Sequence, residues 1–308
     1  MNQRKLVPLE LNLEAEVKSI IQPLLERCSF PDGPVNCAVS GGADSMALLA
    51  LASSAGLEVT AIHVDHGIRP DSSEEADTVA AAAERFGAQF ESRSVSVNAG
   101  PNLEERARQA RYSALPEKVL TGHTADDQAE TILLALLRGS AWQGMAGIKP
   151  TTSRPILQLR RSETEDLCSS LGITTVSDPS NNDPQFRRNR IRHELLPLLC
   201  DIADRDLVPV LVRQSELFRD GSEFISEEAK QINPTDTKAL ENAPRIIARE
   251  AIRNWIWETR GDDHPPDLAT INRVLDVAFL ESLATDIGKG WRVARTDRVL
   301  RIEKPDAI

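Results

Sequence analysis

Val35-Asn36-Cys37-Ala38-Val39-Ser40-Gly41-Gly42-Ala43-Asp44-Ser45 passes from a mostly apolar run into two serines, two glycines and an aspartate. Met46 to Ala52 then continues as an apolar stretch of helical length. The pattern predicts a strand, a tight turn and a buried helix. Adjacent glycines let a backbone approach an anion with its N–H groups turned inward. The Ser40 and Ser45 hydroxyls add donors, and the helix presents its positive end. Asp44 is out of place among phosphates unless a divalent cation lies between, so Ser40, Gly41, Gly42, Ala43, Asp44 and Ser45 read as an ATP cradle in which Asp44 holds Mg²⁺. No lysine follows the glycines, so the loop differs from the GxxxxGK[ST] design of ordinary NTPases. The plainer alternative is a Gly-rich turn in which Ser40 or Asp44 only satisfies backbone donors.

Outward from this turn, strand-like runs recur at Val35–Val39, Val59–Val64, Phe90–Val95 and Lys118–Thr121. Helical patterns follow each, at Ser45–Ser54, Ser73–Phe86, Leu103–Leu115 and Ala125–Arg138. This βα alternation predicts an α/β fold, doubly wound around a mainly parallel sheet, with ligands at the carboxyl ends of the strands. A helix near Ser162–Leu171, a strand at Thr174–Ser177 and a turn-rich loop from Asp178 to Pro184 come next. Beyond about residue 204 the pattern turns helical, with Leu207, Val210, Leu211 and Phe218 on one face and Ile246, Ile247, Ile252, Trp255 and Ile256 in a second segment. The expected organisation is a nucleotide domain over 1–204 and a smaller, mostly helical domain over 205–308, ending in a hairpin about Thr296-Asp297.

At 308 residues and 41% hydrophobic, the chain can bury a full core. Glutamates interleave with Leu9, Leu11 and Leu13, leaving no signal-peptide core or membrane run, so the cytoplasm is expected. Cys28, Cys37, Cys168 and Cys200 lack metal-site or CxxC spacing and read as core residues, without disulfide or zinc. A net charge of −11 excludes a general nucleic-acid coat. Local basic stretches remain: Arg187-Arg188-Asn189-Arg190-Ile191-Arg192, and a cluster from Lys289 to Lys304. Both are candidate phosphate contacts; for the second, a solvated sheet edge is an equal reading.

Three further constellations carry chemistry. His63 and Asp65, at the end of the second strand, share a side and would border the nucleotide. In Gly122-His123-Thr124-Ala125-Asp126-Asp127-Gln128-Ala129-Glu130-Thr131, helical spacing stacks Asp126 or Asp127 against Glu130. Stacked carboxylates need a cation, either a metal or the ammonium of an amine substrate, unless they only complement a helix dipole. Arg108 and Arg111 share one helix face beside Tyr112 and suit phosphate or transition-state charge, or else pair with Glu104 and Glu105.

SGGADS at 40–45, HVDHGIR at 63–69, ARQARY at 107–112, GHTADDQAET at 122–131, RP at 154–155 and DPSNND with RRNRIR over 178–192 occur in this order. The first resembles the PP-loop of N-type ATP pyrophosphatases. Together, over about residues 33 to 200, they resemble the tRNA(Ile)-lysidine synthetase family, in its shorter form without the further C-terminal tRNA-binding domain of longer members. The resemblance implies an adenine nucleotide α hydrolase-like fold. It also implies a ligase that adenylates the first anticodon cytidine of a minor isoleucine tRNA with ATP, then lets the ε-amine of lysine displace AMP. It assigns Ser40–Ser45, His63, Asp65 and His123 to ATP, with Asp44 to Mg²⁺. Asp126, Asp127 and Glu130 go to lysine, Arg108 to the activated intermediate, and Arg111, Arg188, Asn189, Arg190 and Arg192 to tRNA. Catalysis would rest on Asp44, Arg108, Asp127 and Glu130. The implied partners are isoleucine tRNA with a CAU anticodon, free L-lysine and ATP, with no membrane and with a homodimer as the oligomeric option. Thr124 departs from the pattern, since many members carry a second histidine there.

A PP-loop tRNA thiolase is the nearest alternative, but no paired reactive cysteines stand at CxxC spacing. An amidotransferase would need a glutaminase half for which no length remains. A nonenzymatic nucleotide sensor would have no use for the acids at 126–130.

Overall fold

The first apolar runs become a parallel sheet because alternate residues have somewhere dry to point on both faces. The computed structural model describes residues 18–65, 72–95, 110, 113–176, 179–262 and 264–304. Its strands β1 (Val35–Ala38), β2 (Val59–Asp65), β3 (Gln89–Ser94) and β4 (Val119–Leu120) are all parallel, in the order β3-β2-β1-β4. The chain leaves β1 toward β2 on one side and reaches β4 on the other, so a crevice opens beyond its carboxyl end, where residues 39–42 turn. Val35, Cys37, Val59 and Ala61 pack on one face with helices α1 (Ala43–Ser54) and α2 (Ser72–Arg85); Ile62, Val119 and Leu115 pack on the other. Met46 to Ala52 of α1 are all buried, as expected of a helix apolar all round. Each buried leucine there contributes about 1.5–3 kcal/mol.

Helix α3 (Ala125–Leu137) follows β4, a short α4 spans Trp142–Met145, and α5 (Arg161–Ser170) packs on α1 through Leu167 and Cys168. Two sequence expectations need correction. The fourth strand keeps only two ladder residues, because Thr121 N–H donates instead to Ser153 O at 2.9 Å. Residues 174–176 form no strand. The run joins neither edge of the sheet; Val176 N–H donates instead to Gly41 O at 2.9 Å in the glycine turn. The helix expected at Leu103–Leu115 lies mostly outside the described residues, as do Arg108, Arg111 and Tyr112. Cys37 is a core residue of β1, and burial pushes its thiol up to about 12.

The chain continues through α6 (Arg187–Arg190), a π-helical turn at Ile191–Leu195, α7 (Leu196–Ala203) and α8 (Val208–Lys230). Two compact units divide inside α8, between Ser215 and Glu216; the sequence expectation had set the change at 204/205, in the loop before that helix. The second unit has its own core, where Ile247, Ala248, Ala251, Ile252 and Ile256 line one face of α10 (Arg245–Arg260), behind the short α9 (Thr237–Asn242). They meet Val274 and Leu275 of α11 (Leu268–Ala278) and Ile287, Val293 and Leu300 of an antiparallel sheet. That sheet has three strands, β5 (Ala284–Gly288), β6 (Trp291–Thr296) and β7 (Val299–Glu303). Strand β5 escaped the sequence reading because Ala284, Asp286 and Gly288 are poor strand formers. It is held by a tight turn in which Lys289 (φ 56°) and Gly290 (φ 77°) are both left-handed. Among the described residues no helix is long and apolar enough to cross a membrane.

Candidate active site

The glycine turn is shaped by two different demands. Gly41 has φ +88°, and a Cβ on it would lie 2.9 Å from Val176 Cγ2, so backbone and packing both require glycine. A Cβ on Gly42 would meet only Ser40 Oγ at 3.7 Å, which leaves open space before the turn. Ser45 spends its hydroxyl inside the loop: it donates to Gly42 O at 2.9 Å and accepts from Ser40 N at 3.1 Å. Gly42 caps α1 without a side-chain bond, so the first-turn N–H groups of Ala43, Asp44 and Ser45 present the helix's positive end.

Neighbouring strand ends brace this turn. His63 is buried and its Nδ1–H donates to Val39 O at 2.9 Å, which fixes the tautomer and leaves Nε2 as an acceptor without a partner among the described residues. Asp65 closes β2, half-buried. His123 Nδ1 and Thr121 Oγ1 are 2.8 Å apart. Between them, a Cβ on Gly122 would come within 2.7 Å of Asp44 O, so only glycine lets the β4–α3 turn lie on the first turn of α1.

The acids of α3 are brought to Asp44 along with the arginines that answer them. Thr124, fully buried at the N-cap, donates both N–H (2.9 Å) and Oγ1–H (3.1 Å) to Asp127 Oδ2, which gives this residue a structural use. Asp126 accepts from Arg160 Nε (3.0 Å) and Nη2 (3.1 Å) and from Arg161 N (2.8 Å), while Arg160 also pairs with Asp206. Glu130 is completely buried. Its Oε1 accepts from Arg161 Nη1 at 3.0 Å and Arg192 Nε at 2.7 Å, its Oε2 from Arg188 Nε at 2.7 Å. Asp127 Oδ1 takes Arg188 Nη2 at 2.9 Å and Arg161 Nη2 at 3.3 Å. Arg188 and Arg192 reach Glu130 because Ile191, between them, is buried against Ala125, Ala129 and Leu133 of α3, at the start of the π turn.

Asp44 differs from these acids. Thr164 Oγ1–H donates to Asp44 Oδ1, and Arg161 Nε stands 3.6 Å from Oδ2, longer than a hydrogen bond. Burial pushes its carboxyl up to about 6, helped by the charge of Asp127 and opposed by Thr164, Arg161 and Arg192. Burial also opposes ionisation of Asp127 and Asp126. There the arginines and backbone N–H donors win and hold both below the usual carboxylate range.

The structure therefore merges two sets that the sequence kept apart. Asp127 and Glu130, expected to meet an amine, and Arg188 and Arg192, expected to meet tRNA, bond one another. Asn189 Nδ2 donates to Asp183 O at 2.9 Å, and Arg190 is exposed beside Glu194 at 2.8 Å. Gly122, Arg160, Arg161 and Thr164 were not singled out from the sequence. Charge accounting was the available signal, since four carboxylates converging on a strand end require cations and Arg160-Arg161 is one of the few nearby pairs.

A family model described as a PP-loop domain matches residues 9–199. A tRNA(Ile)-lysidine synthase from Rhodococcus erythropolis is 41% identical over 242 residues, covering 73% of this chain and 74% of that protein. Those from Nocardia farcinica (39%; 76% and 78% covered) and Mycobacterium tuberculosis (40%; 71% and 73%) are similar over comparable lengths. Among solved structures, a U34-tRNA thiolase from Methanococcus maripaludis aligns with 68% of this chain and 81% of its own at 16% identity and a TM-score of 0.49, too distant to bear on function. By the match of its first unit and by relatives at this identity over nearly three quarters of its length, the chain belongs to the tRNA(Ile)-lysidine synthase family.

Proposed function

We propose that the glycine turn and the acidic helix divide between them the ATP-dependent formation of lysidine on tRNA. ATP is the family's activating substrate and tRNA(Ile) its polynucleotide. The uncapped first turn of α1, with Gly42 open to close approach, takes the phosphates. Asp44 is the fitting ligand for Mg²⁺: it is a hard oxygen donor whose ionised form burial disfavours, so a cation offsets the cost. Among the described residues no trio of His, Cys, Asp or Glu forms a metal cluster, so Asp44 would share a bound cation with ligands from outside the protein. Bound there, the cation would draw charge from the phosphate oxygens and favour departure of pyrophosphate.

In the first half-reaction the cytidine 2-oxygen bonds to the α-phosphorus as the bond to pyrophosphate breaks. In the second, the lysine ε-ammonium loses a proton to water, its nitrogen bonds to C2, the C2–O bond breaks and AMP leaves with the oxygen. Asp127 and Glu130 hold the incoming amine at the other end of the same cluster. Asp127 stays ionised below the ordinary range, which suits it to hold an ammonium rather than to take its proton. Seating the amine requires one guanidinium to yield; Arg188 is the most exposed of the three on Glu130 and then turns to tRNA phosphate, with Arg190 and Asn189 beside it. Asp126, with both oxygens committed to Arg160 and Arg161, anchors the cluster. His63, Asp65 and His123 border the nucleotide from the neighbouring strand ends, and Arg108 and Arg111 keep their proposed roles at the intermediate and tRNA. The setting is the cytoplasm.

The observation that carries this reading is the approach of Asp44 and the α3 acids to one guanidinium, Arg161. Mass analysis of tRNA incubated with ATP and labelled lysine tests it: the first anticodon cytidine gains a lysine, with one AMP and one pyrophosphate released. In Glu130→Gln the lysine KM rises more than the ATP KM. Equal rises would remove Glu130 from the amine seat.

A further inference from the structure

Arg161 touches every acid of the site. Its Nη1 reaches Glu130 at 3.0 Å, its Nη2 reaches Asp127 at 3.3 Å, and its Nε faces Asp44 at 3.6 Å. Its own backbone N–H holds Asp126 at 2.8 Å, and its carbonyl lies 2.7 Å from the Thr164 hydroxyl that also bonds Asp44. No other described side chain joins the glycine turn to α3 in this way; Arg188 and Arg192 bond Asp127 and Glu130 from a separate segment.

Its place is fixed from behind. Arg161 opens α5, where Glu163 accepts from Arg160 N at 2.7 Å and holds Arg27 through both oxygens at 2.5 and 2.8 Å. Helix α5 is buried against α1 through Leu167 and Cys168. Two planar donors set by a rigid helix end thus hold the α3 carboxylates while the third faces that of the glycine turn, a geometry that a point-charge ammonium cannot reproduce.

We propose that Arg161 is a positioning residue that couples the two half-reactions, keeping the amine seat in register with the carboxylate of the glycine turn. The proposal rests on Asp127 and Glu130 receiving lysine. A residue that merely stabilised the fold would lower the melting temperature without a matched change in both substrates. A residue serving one ligand would move one KM.

The test uses Arg161→Lys, which keeps the charge and loses the fork, and Arg161→Met, each assayed for tRNA-dependent pyrophosphate release without lysine and for lysidine formation with it. The expected result is a loss of at least tenfold in the rate of pyrophosphate release, together with a rise of at least tenfold in lysine KM, in Arg161→Lys with its melting temperature near the native value. If Arg161→Met fails to fold, Arg161→Lys alone decides. A loss confined to one half-reaction, or native kinetics in Arg161→Lys, overturns the coupling. Glu130→Gln separates the two ideas. If it leaves lysine KM unchanged, the amine seat itself is wrong. If it raises that KM while Arg161→Lys leaves either half-reaction native, only the coupling fails.

Discussion

Asp44, half-buried, and Glu130, fully buried, are carboxylates of one cluster, yet they stand in opposite electrostatic conditions. Glu130 is bonded by three guanidiniums, whereas Asp44 has a hydroxyl and a distant guanidinium, and burial pushes its carboxyl up to about 6. A compensated acid holds structure together; an under-compensated one at an uncapped helix start is prepared for an incoming cation. The contrast separates an acid whose charge the fold already answers from one left open to a cation, and both take part in the proposed chemistry.

The largest effect should fall on chemistry at Asp44. Asp44→Ala is expected to lower pyrophosphate release by on the order of a thousandfold or more, the scale of losing a principal electrostatic group, with an unchanged circular dichroism spectrum. Near-native release would erase the contrast. Glu130→Ala should damage stability as well as the amine seat. Removing it leaves Arg161, Arg188 and Arg192 facing one another, and breaking such a buried pair costs about 3–5 kcal/mol. Urea unfolding with a midpoint as in the native protein would mean that the arginines find other partners.

Asp44→Asn sharpens the same comparison through pH. An acid whose carboxyl is raised in the folded state binds its proton more tightly there than when unfolded. Folding is therefore favoured most at or below about pH 4 and loses stability as pH rises toward 6. With chelator present, Asn at this position should gain about 1–3 kcal/mol at pH 8, with the gain vanishing near pH 4. For Asp126 and Asp127 the sign is reversed: they lend stability above the ordinary carboxylate range, and it is lost on acidification. Melting curves for Asp44→Asn that run parallel to the native protein at both pH values would show that the ionised carboxylate is adequately compensated.

The same contrast explains what the sequence could reveal. The signal for the glycine turn is local: the order of residues from Val35 to Ser45 points to strand, left-handed Gly41 and helix start, although His63 and Val176 brace the turn from a distance. The βα periodicity likewise carried the sheet, because burial writes itself into β1, β2 and β4, although β3 is exposed along nearly its whole length. The arginine cluster is not local. Residues 126–130, 160–161 and 187–192 meet only after the sheet has formed, so the helical spacing of Asp127 and Glu130 revealed a need for positive charge and not its source. The strand expected at Thr174–Ser177 misled for a related reason, since β-branched residues favour extended backbone but do not name the partner that Val176 finds in Gly41.

The smallest effect separates the exposed from the buried members of one arginine run. Arg190 is exposed and pairs with Glu194 across one helical turn, a contact of the kind that contributes little to stability. Arg192, two residues on, is fixed on Glu130 at 2.7 Å. If this segment faces tRNA, Arg190→Ala should leave the melting temperature unchanged and reduce the slope of log affinity against log salt by about one, the release of a single counterion. Arg192→Ala should lower the melting temperature while changing that slope less, since its charge is already spent inside the protein. A titration in which Arg190→Ala leaves the slope untouched, while Arg192→Ala flattens it, would reverse the assignment and make the guanidinium on Glu130 the one that leaves for phosphate.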